Sequence, residues 1–311
     1  MRLTDNDPDI AALLRWDTGS KITDENYARL RADPRYGKAV RAFAATMLAA
    51  GDADPVLDGI LKDAGRNVAA MCCVHLHFSG GLTLPRLKAL CASFGMVSPG
   101  RARAMLLYLR YLQYVEPLPT MQGTAQLYAP TPAFLAAWSG LIRAVLRAMQ
   151  VLEPGVSALL SQFDKPGVFE TCAKYACELI LLAANQGNLE SPWFRIFMHR
   201  YAGRQIINAL LTTNEDDMFP PRKPIPISVT ATAERFGVSR IHVRRLLNAA
   251  QAEALITRQT ENTVVFEEQG RAYLDLFFAT QLIRFLTVAA RTLKERPDLL
   301  EDDAPDCKAA E

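Results

Sequence analysis

The 311-residue chain has no uninterrupted apolar stretch approaching the roughly 20 residues that a membrane-spanning helix needs. Its most apolar run, LDLFFATQLIRFLTVAA, carries Asp275 and Arg284 and reads as a buried amphipathic helix. The start, MRLTDNDPDIAALLRW, lacks a basic flank followed by an apolar core, so no secretory leader is expected. Six cysteines stand without a disulfide framework, which fits a reducing compartment. A cytoplasmic protein with no membrane partner is therefore expected. There is no Gly-rich phosphate loop, no nucleophile elbow and no His-Glu metal helix, and the four histidines are scattered singly. No enzymatic activity, no cofactor and no metal are expected.

What is present is half apolar (50%) and only 22% charged, enough to build one large or two ordinary cores. The net charge of +2 divides unevenly. From Glu295 onward seven acids face two bases, a tail of −5 that leaves +7 for the body. A basic body with an acidic tail is compatible with nucleic-acid binding without requiring it.

The chain also repeats itself. A step of 141 residues takes Ser98 to Ser239, Arg103 to Arg244, Leu106 to Leu247 and Val115 to Ile256. The same step takes Leu141-Ile142-Arg143 to Leu282-Ile283-Arg284, which suggests arginines matched across an internal interface and paired there with acids. Phe94-Gly95 matches Phe236-Gly237 at a step of 142, and Gly65-Arg66 matches Gly203-Arg204 at 138. Coincidence among helices rich in Leu, Ala and Arg is the competing reading; one register held across several elements argues against it. Each copy starts with apolar helices, expected over Tyr36–Ala50 and Arg66–Phe78, then over Val168–Asn185 and Trp193–Thr213. A helix, a turn, a second helix, two short strands and a long closing helix (Leu135–Gln150, Leu274–Lys294) follow. The Pro-rich stretch MFPPRKPIPIS reads as a linker, and the break between copies falls in VLEPGVSALLSQFDKPGV. The expected divisions are an N-terminal arm (1–35), a first copy (36–152), a second copy (153–296) and an acidic tail (297–311).

The strongest local signal is ATAERFGVSRIHVRRLLNAAQAEALITR. Gly237 suits a left-handed inter-helix turn and Ser239 suits a helix N-cap. Val243, Leu246 and Leu247 mark the buried face, which leaves Arg240, His242, Arg244 and Arg245 on the open side or its margins. Polar and basic side chains on the first turns of a helix are what major-groove reading requires. RQTENTVVFEEQG then reads as a short hairpin, with Arg258, Gln259, Asn262 and Thr263 on or near it. The first copy spells the same logic as LPRLKALCASFGMVSPGRARAMLLYLRYLQYVEP, with Ser98 as cap, Pro99 at the first helical position and Arg101, Arg103 and Arg110 as bases. Its hairpin would run through MQGTAQLYAPTPAF.

FGVSRIHVRRLL with its ALIT ending resembles the reading head of GntR- and MarR-type winged-helix regulators, and FEEQGRAYL resembles the MarR-like exit from the wing into a dimerisation helix. The likeness is specific over Ser228–Leu274 and architectural elsewhere. It implies a mainly α fold with small β-wings, here a tandem duplicated winged helix-turn-helix forming a pseudo-two-fold dimer within one chain. The implied function is sequence-specific binding of double-stranded DNA for transcriptional control. Contacts are expected from Ser98, Arg101, Arg103, Ser239, Arg240, His242, Arg244, Arg245, Arg258 and Asn262. Because Arg101 stands where the other copy has His242, and Ala104 where it has Arg245, an imperfect palindrome is expected. MarR-like chains are homodimers of one domain; a fused pair implies either a monomer with internal pseudo-symmetry or a homodimer. The alternative is an architectural or protein-interaction module with weak, non-specific DNA binding. A metal reading of Cys72-Cys73-Val74-His75-Leu76-His77 fails on helical spacing, and a redox role for Cys72, Cys73 or Cys172/Cys177 has no thiol-activating neighbour in view. The aromatic stretch Trp193–Tyr201 is read as core, with a pocket for a small-molecule effector as its other use.

Overall fold

The structure is a computed structural model that describes residues 7–19, 21–186, 191–214, 218–260 and 262–300. It is mainly helical, with two small antiparallel sheets. Helices α1 (Pro8–Leu14), α2 (Asp24–Ala32), α3 (Tyr36–Ala53) and α4 (Pro55–Leu61) lead into a run we call unit one. That unit comprises α5 (Ala64–Phe78), β1 (Leu82–Thr83), α6 (Leu84–Ser93), α7 (Pro99–Tyr111), β2 (Val115–Pro117), β3 (Leu127–Pro130) and α8 (Pro132–Met149). After α9 (Val156–Ser161), α10 (Val168–Gln186) and a π-helical turn at Phe194–Met198 comes unit two. Unit two comprises α11 (Gly203–Thr213), β4 (Ile225–Pro226), α12 (Val229–Phe236), α13 (Arg240–Ala252), β5 (Ile256–Thr260), β6 (Thr263–Phe266) and α14 (Glu268–Glu295).

Both units thus run helix, strand, helix, helix, strand, strand, helix, and the hydrogen bonds repeat with the order. The sheets are ordered β1-β3-β2 and β4-β6-β5. In unit one Leu82 pairs with Tyr128 and Val115 with Pro130; in unit two Ile225 pairs with Val264 and Ile256 with Phe266. Gly95 (φ +68°) and Gly237 (φ +62°) make the inter-helix turns, at values L side chains rarely adopt. Gln113 (φ +58°) and Ala254 (φ +51°), one step of 141 apart, turn each second helix into its strand. The strand-to-closing-helix joint repeats as well: Thr131 N–H donates to Tyr114 O at 2.9 Å, and Glu267 N–H to Leu255 O at 3.0 Å.

These registers correct one sequence expectation. Val115 to Ile256 is a step of 141, whereas their partners Pro130 and Phe266 are 136 apart. The difference lies in the hairpin: residues 118–126 separate its strands in unit one, whereas in unit two the first strand ends at Thr260 and the second begins at Thr263. Five residues are about 1.4 turns of helix, so Arg143 and Arg284 do not occupy equivalent places. Arg143 pairs with Asp164 near the surface, whereas Arg284 is buried and has no carboxylate partner among the described residues.

The helices outside the units cross-brace them. α3 packs on α8 of unit one and on α11 of unit two; α10 packs on α14 of unit two and on α5 of unit one. The closing helices α8 and α14 also touch. α14 is long and apolar enough to cross a membrane by length and composition, but Leu274, Phe278, Leu282 and Leu286 are fully buried inside the protein.

Of the expected N-terminal arm (1–35), the described residues among 7–35 pack against the rest of the protein: Ile10, Leu13, Trp16 and Leu30 are buried, and polar bonds tie the segment to α14. Arg31 Nε lies 2.7 Å from Asp275 Oδ2, and Arg291 Nε 2.9 Å from Asp17 Oδ1. The stretch Trp193–Thr213, expected as one helix, is not one. Ala202 sits at φ +59° with its N–H given to Lys62 O at 2.8 Å, and α11 starts afresh at Gly203, where a Cβ would come within 2.4 Å of Phe197 O. The tail expected from 297 begins as a 3₁₀ turn, Pro297–Leu300, with Leu299 buried; residues 301–311 lie outside the described residues.

Candidate nucleic-acid interface

The N-terminus of α13 is built as the sequence predicts. Ser239 is extended, and its Oγ accepts from His242 N–H at 3.1 Å, satisfying one of the amides a helix start leaves unpaired. Val243, Leu246, Leu247 and Ala250 are buried, so the opposite face is open. Arg240, Arg244 and Arg245 are exposed on that face, and among the described residues none of the three guanidinium groups is paired with a carboxylate. Ile241 stands among them, 59% exposed. The hairpin beside α13 carries exposed Gln259 and Asn262. Arg258 is half-buried, with Nη1 3.4 Å from Asn248 Oδ1, and so braces the hairpin against α13. Asn262 also has a structural task, since its carbonyl accepts from Ile227 N–H at 2.8 Å and closes the sheet.

His242 is held differently. Its Nε2 lies 2.8 Å from Tyr201 O, so the ring turns inward to the segment before α11. The equivalent residue of unit one, Arg101, also turns inward: its Nη2 donates to both carboxylate oxygens of Asp63, at 2.6 and 2.7 Å. Asp63 and Tyr201 are themselves 138 residues apart, the step that relates Gly65 to Gly203. A side chain at the same place on α7 and on α13 thus ties each helix to the segment at the start of α5 or α11. At Gly65 a side chain would crowd Arg101, with Cζ 2.9 Å from an added Cβ. Sequence reasoning took both residues as DNA contacts; the repeated step onto Asp63 and Tyr201 was the signal that would have shown the tethers.

On α7, Ser98 caps the helix by accepting from Arg101 N–H at 3.3 Å, and Arg103 is exposed. Arg110 is exposed too, its guanidinium 5.6 Å from the Tyr128 ring centre. The rest of that face is apolar, with Leu107 49% and Tyr111 83% exposed, and Met121 in the hairpin loop 79% exposed. Behind α13 the π-helical turn supplies a brace that the sequence reading missed: Arg195 pairs with Glu253 at 2.9 Å, and Arg200 Nη1 donates to Arg245 O at 3.4 Å.

The cysteine and histidine cluster on α5 faces the core. Hydrogen bonds to Cys177 and Cys91, together with burial, push the Cys72 thiol up; burial, with Cys91 nearby, raises Cys73, and burial outweighs a hydrogen bond to Thr292 to take Cys172 up to about 12. Raised thiols are poor nucleophiles at neutral pH. Burial also pushes the His75 and His77 imidazoles below their usual range. Among the described residues no three of His, Cys, Asp or Glu converge on one point.

Comparison with protein-family models, with curated proteins and with solved structures found no match in any of the three.

Proposed function

We propose that the chain is a duplicated winged-helix protein that binds double-stranded DNA sequence-specifically, with α13 and the β5–β6 hairpin as its principal reading surface. The observation that carries this reading is the outward face of α13. Three arginines whose guanidinium groups meet no carboxylate among the described residues stand on the first turns of a capped helix there, and Gln259 and Asn262 stand alongside. Guanidinium groups free of protein carboxylates can bind guanine edges in a fork or neutralise phosphates. The repeated element order and strand registers support two such heads in one chain. We assign Arg103, Arg240, Arg244 and Arg245 to DNA, with Ser98, Ser239, Arg258 and Asn262 shaping the surface. Arg101 and His242 are given to internal tethers instead. The reading implies transcriptional control in the cytoplasm and assigns no reaction to the chain.

The test is selection from a random duplex pool, followed by titration at two salt concentrations. Enrichment of a sequence, weakened roughly tenfold to a hundredfold by Arg244→Ala plus Arg245→Ala with the salt slope reduced by about 2, would support specific reading. An unenriched pool, or an affinity indifferent to both arginines, would overturn it.

A second reading draws on a specific observation, the apolar face of α7 and its hairpin. Exposed Leu107, Tyr111 and Met121 suit a protein partner better than a phosphate backbone. Selection yielding one half-site rather than two would assign that task to unit one.

A further inference from the structure

A cavity of about 280 Å³ lies where the two units meet, walled by α2, α5, α10, α14 and the π-helical turn. Most of its wall is apolar, including Met96, Ile180, Phe194, Met198, Leu276 and Phe277. Two arginines also line it, Arg204 from α11, which is half-buried, and Arg284 from α14, which is buried. No carboxylate lines the cavity among the described residues.

Burying a cation without a counter-charge is unfavourable, and two together are worse. Arg204 is partly provided for. Its Nη2 donates to Leu61 O at 2.7 Å, and the Asn67 amide, with its oxygen turned toward the guanidinium, accepts at 2.9 and 3.0 Å. The carboxylate whose charge it feels, Asp63, is already bonded by Arg101. Arg284 lies over the Phe285 ring at 4.9 Å. Burial, with the neighbouring Arg204, lowers its guanidinium to about 10, so it is still a cation at neutral pH.

The unmet groups share one polarity. Arg284 Nε and Nη1, Arg204 Nε and the indole Nε1 of Trp193 are all buried donors without an acceptor among the described residues. All three side chains line the same cavity. Buried polar groups in folded proteins are nearly always paired, and what would pair these is an acceptor carrying negative charge. A bare inorganic anion would leave the apolar wall unfilled. At the ~30 Å³ that a liquid water occupies, the cavity has room for about nine heavy atoms.

We propose that this cavity binds a small amphipathic monocarboxylate, its carboxylate held by Arg284, Arg204 and Trp193 and its aliphatic or aryl body lying against the apolar wall. The proposal stands whether or not the chain binds DNA. The site also reaches both units: Met96 belongs to the α6–α7 turn, and Phe194 and Met198 belong to the turn that braces α13. None of its residues lies on the outward face assigned to DNA.

The experiment is calorimetric titration of the full chain with octanoate, octanamide, 1-octanol and inorganic phosphate, repeated on Arg284→Met and Trp193→Phe. Saturable 1:1 binding of octanoate, at least about tenfold tighter than either neutral analogue, is expected because a charge-assisted bond outweighs a neutral one. Arg284→Met keeps the volume and removes the charge, so it should fold and lose octanoate binding by at least about tenfold. Trp193→Phe should weaken binding by less, having removed one neutral donor. Equal binding of octanamide or octanol would reduce the site to an apolar hole, and equal binding of phosphate would make it an inorganic-anion site. Either result overturns the proposal, as does octanoate binding that ignores Arg284→Met or no binding at all. Should Arg284→Met fail to fold, the comparison of the four ligands on the unaltered chain decides alone.

Discussion

Units one and two share a frame and differ in what they show to solvent. The frame rests on short-range devices found in both: a glycine at positive φ between the two helices, a serine N-cap, a left-handed residue before the strand and one backbone bond from strand to closing helix. Outside the frame little is kept. α13 exposes Arg240, Arg244 and Arg245 beside a hairpin whose strands end at Thr260 and resume at Thr263, whereas α7 exposes Leu107 and Tyr111 beside a loop of residues 118–126. Even the tether differs, an ion pair in one unit and a histidine on a carbonyl in the other. Backbone hydrogen bonds and caps specify such a frame independently of its outward residues. Function therefore has to be assigned to each unit by its own face.

The comparison is broken most severely at Gly270. It lies in the first turn of α14, where an added Cβ would sit 1.9 Å from Leu255 O. That carbonyl is the acceptor that joins the closing helix to the end of α13. The obstacle is backbone rather than a flexible side chain, so neither partner can give way cheaply. Gly270→Ala should cost about 3 kcal/mol, measured by chemical denaturation, and amide exchange should show unit two losing protection before unit one. A loss below about 1 kcal/mol would mean that α14 can slide on Leu255, and that the joint is not a fixed part of the frame.

The tethers offer a finer contrast. Arg101→Ala removes two charge-assisted bonds, and the side chain's 39% exposure discounts them to about 1–2 kcal/mol. Asp63 is not orphaned, since it still caps α5 by accepting from Arg66 N–H at 2.9 Å. His242→Ala removes one bond to a carbonyl and should cost about 0.5–1 kcal/mol. Thermal melts of both variants would rank them, and duplex selection on each would show whether base preference holds. A changed preference with either variant would mean that the side chain leaves its tether to meet DNA.

What the sequence made legible was local. Gly237, Ser239, Val243 and Leu247 lie within a dozen residues, and caps and helical spacing act over that range, so α12, α13 and their turn could be drawn in advance. What stayed hidden was set by distant contacts. The break at Ala202 depends on Lys62 O, and the run from Trp193 to Thr213 keeps a helical pattern through it. β1 and β4 are two residues each, too short to show alternation. Arg143 and Arg284 matched in sequence because a step of 141 was carried past a hairpin that shortens it to 136. The cavity had one visible trace, Arg284 standing in the apolar run LIRFL, but its meaning needed Arg204 and Trp193 beside it.

The smallest effect distinguishes the closing helices themselves. Gly140 lies inside α8, exposed, with nothing within 4 Å of where a Cβ would stand. Where Gly270 is required by a backbone neighbour, Gly140 has only the entropic cost of a glycine within a helix. Gly140→Ala should therefore stabilise the chain by about 0.5–1 kcal/mol, visible as a small rise in Tm with no change in oligomeric state. A fall in Tm would mean that something lies against this face of α8 in solution. Because α8 and α14 already meet inside one chain, the candidate would be a second copy, and sedimentation at two concentrations would then show a dimer that the alanine weakens. A rise in Tm with a concentration-independent monomer would instead leave the contact of α8 with α14 as the pairing of closing helices the protein uses.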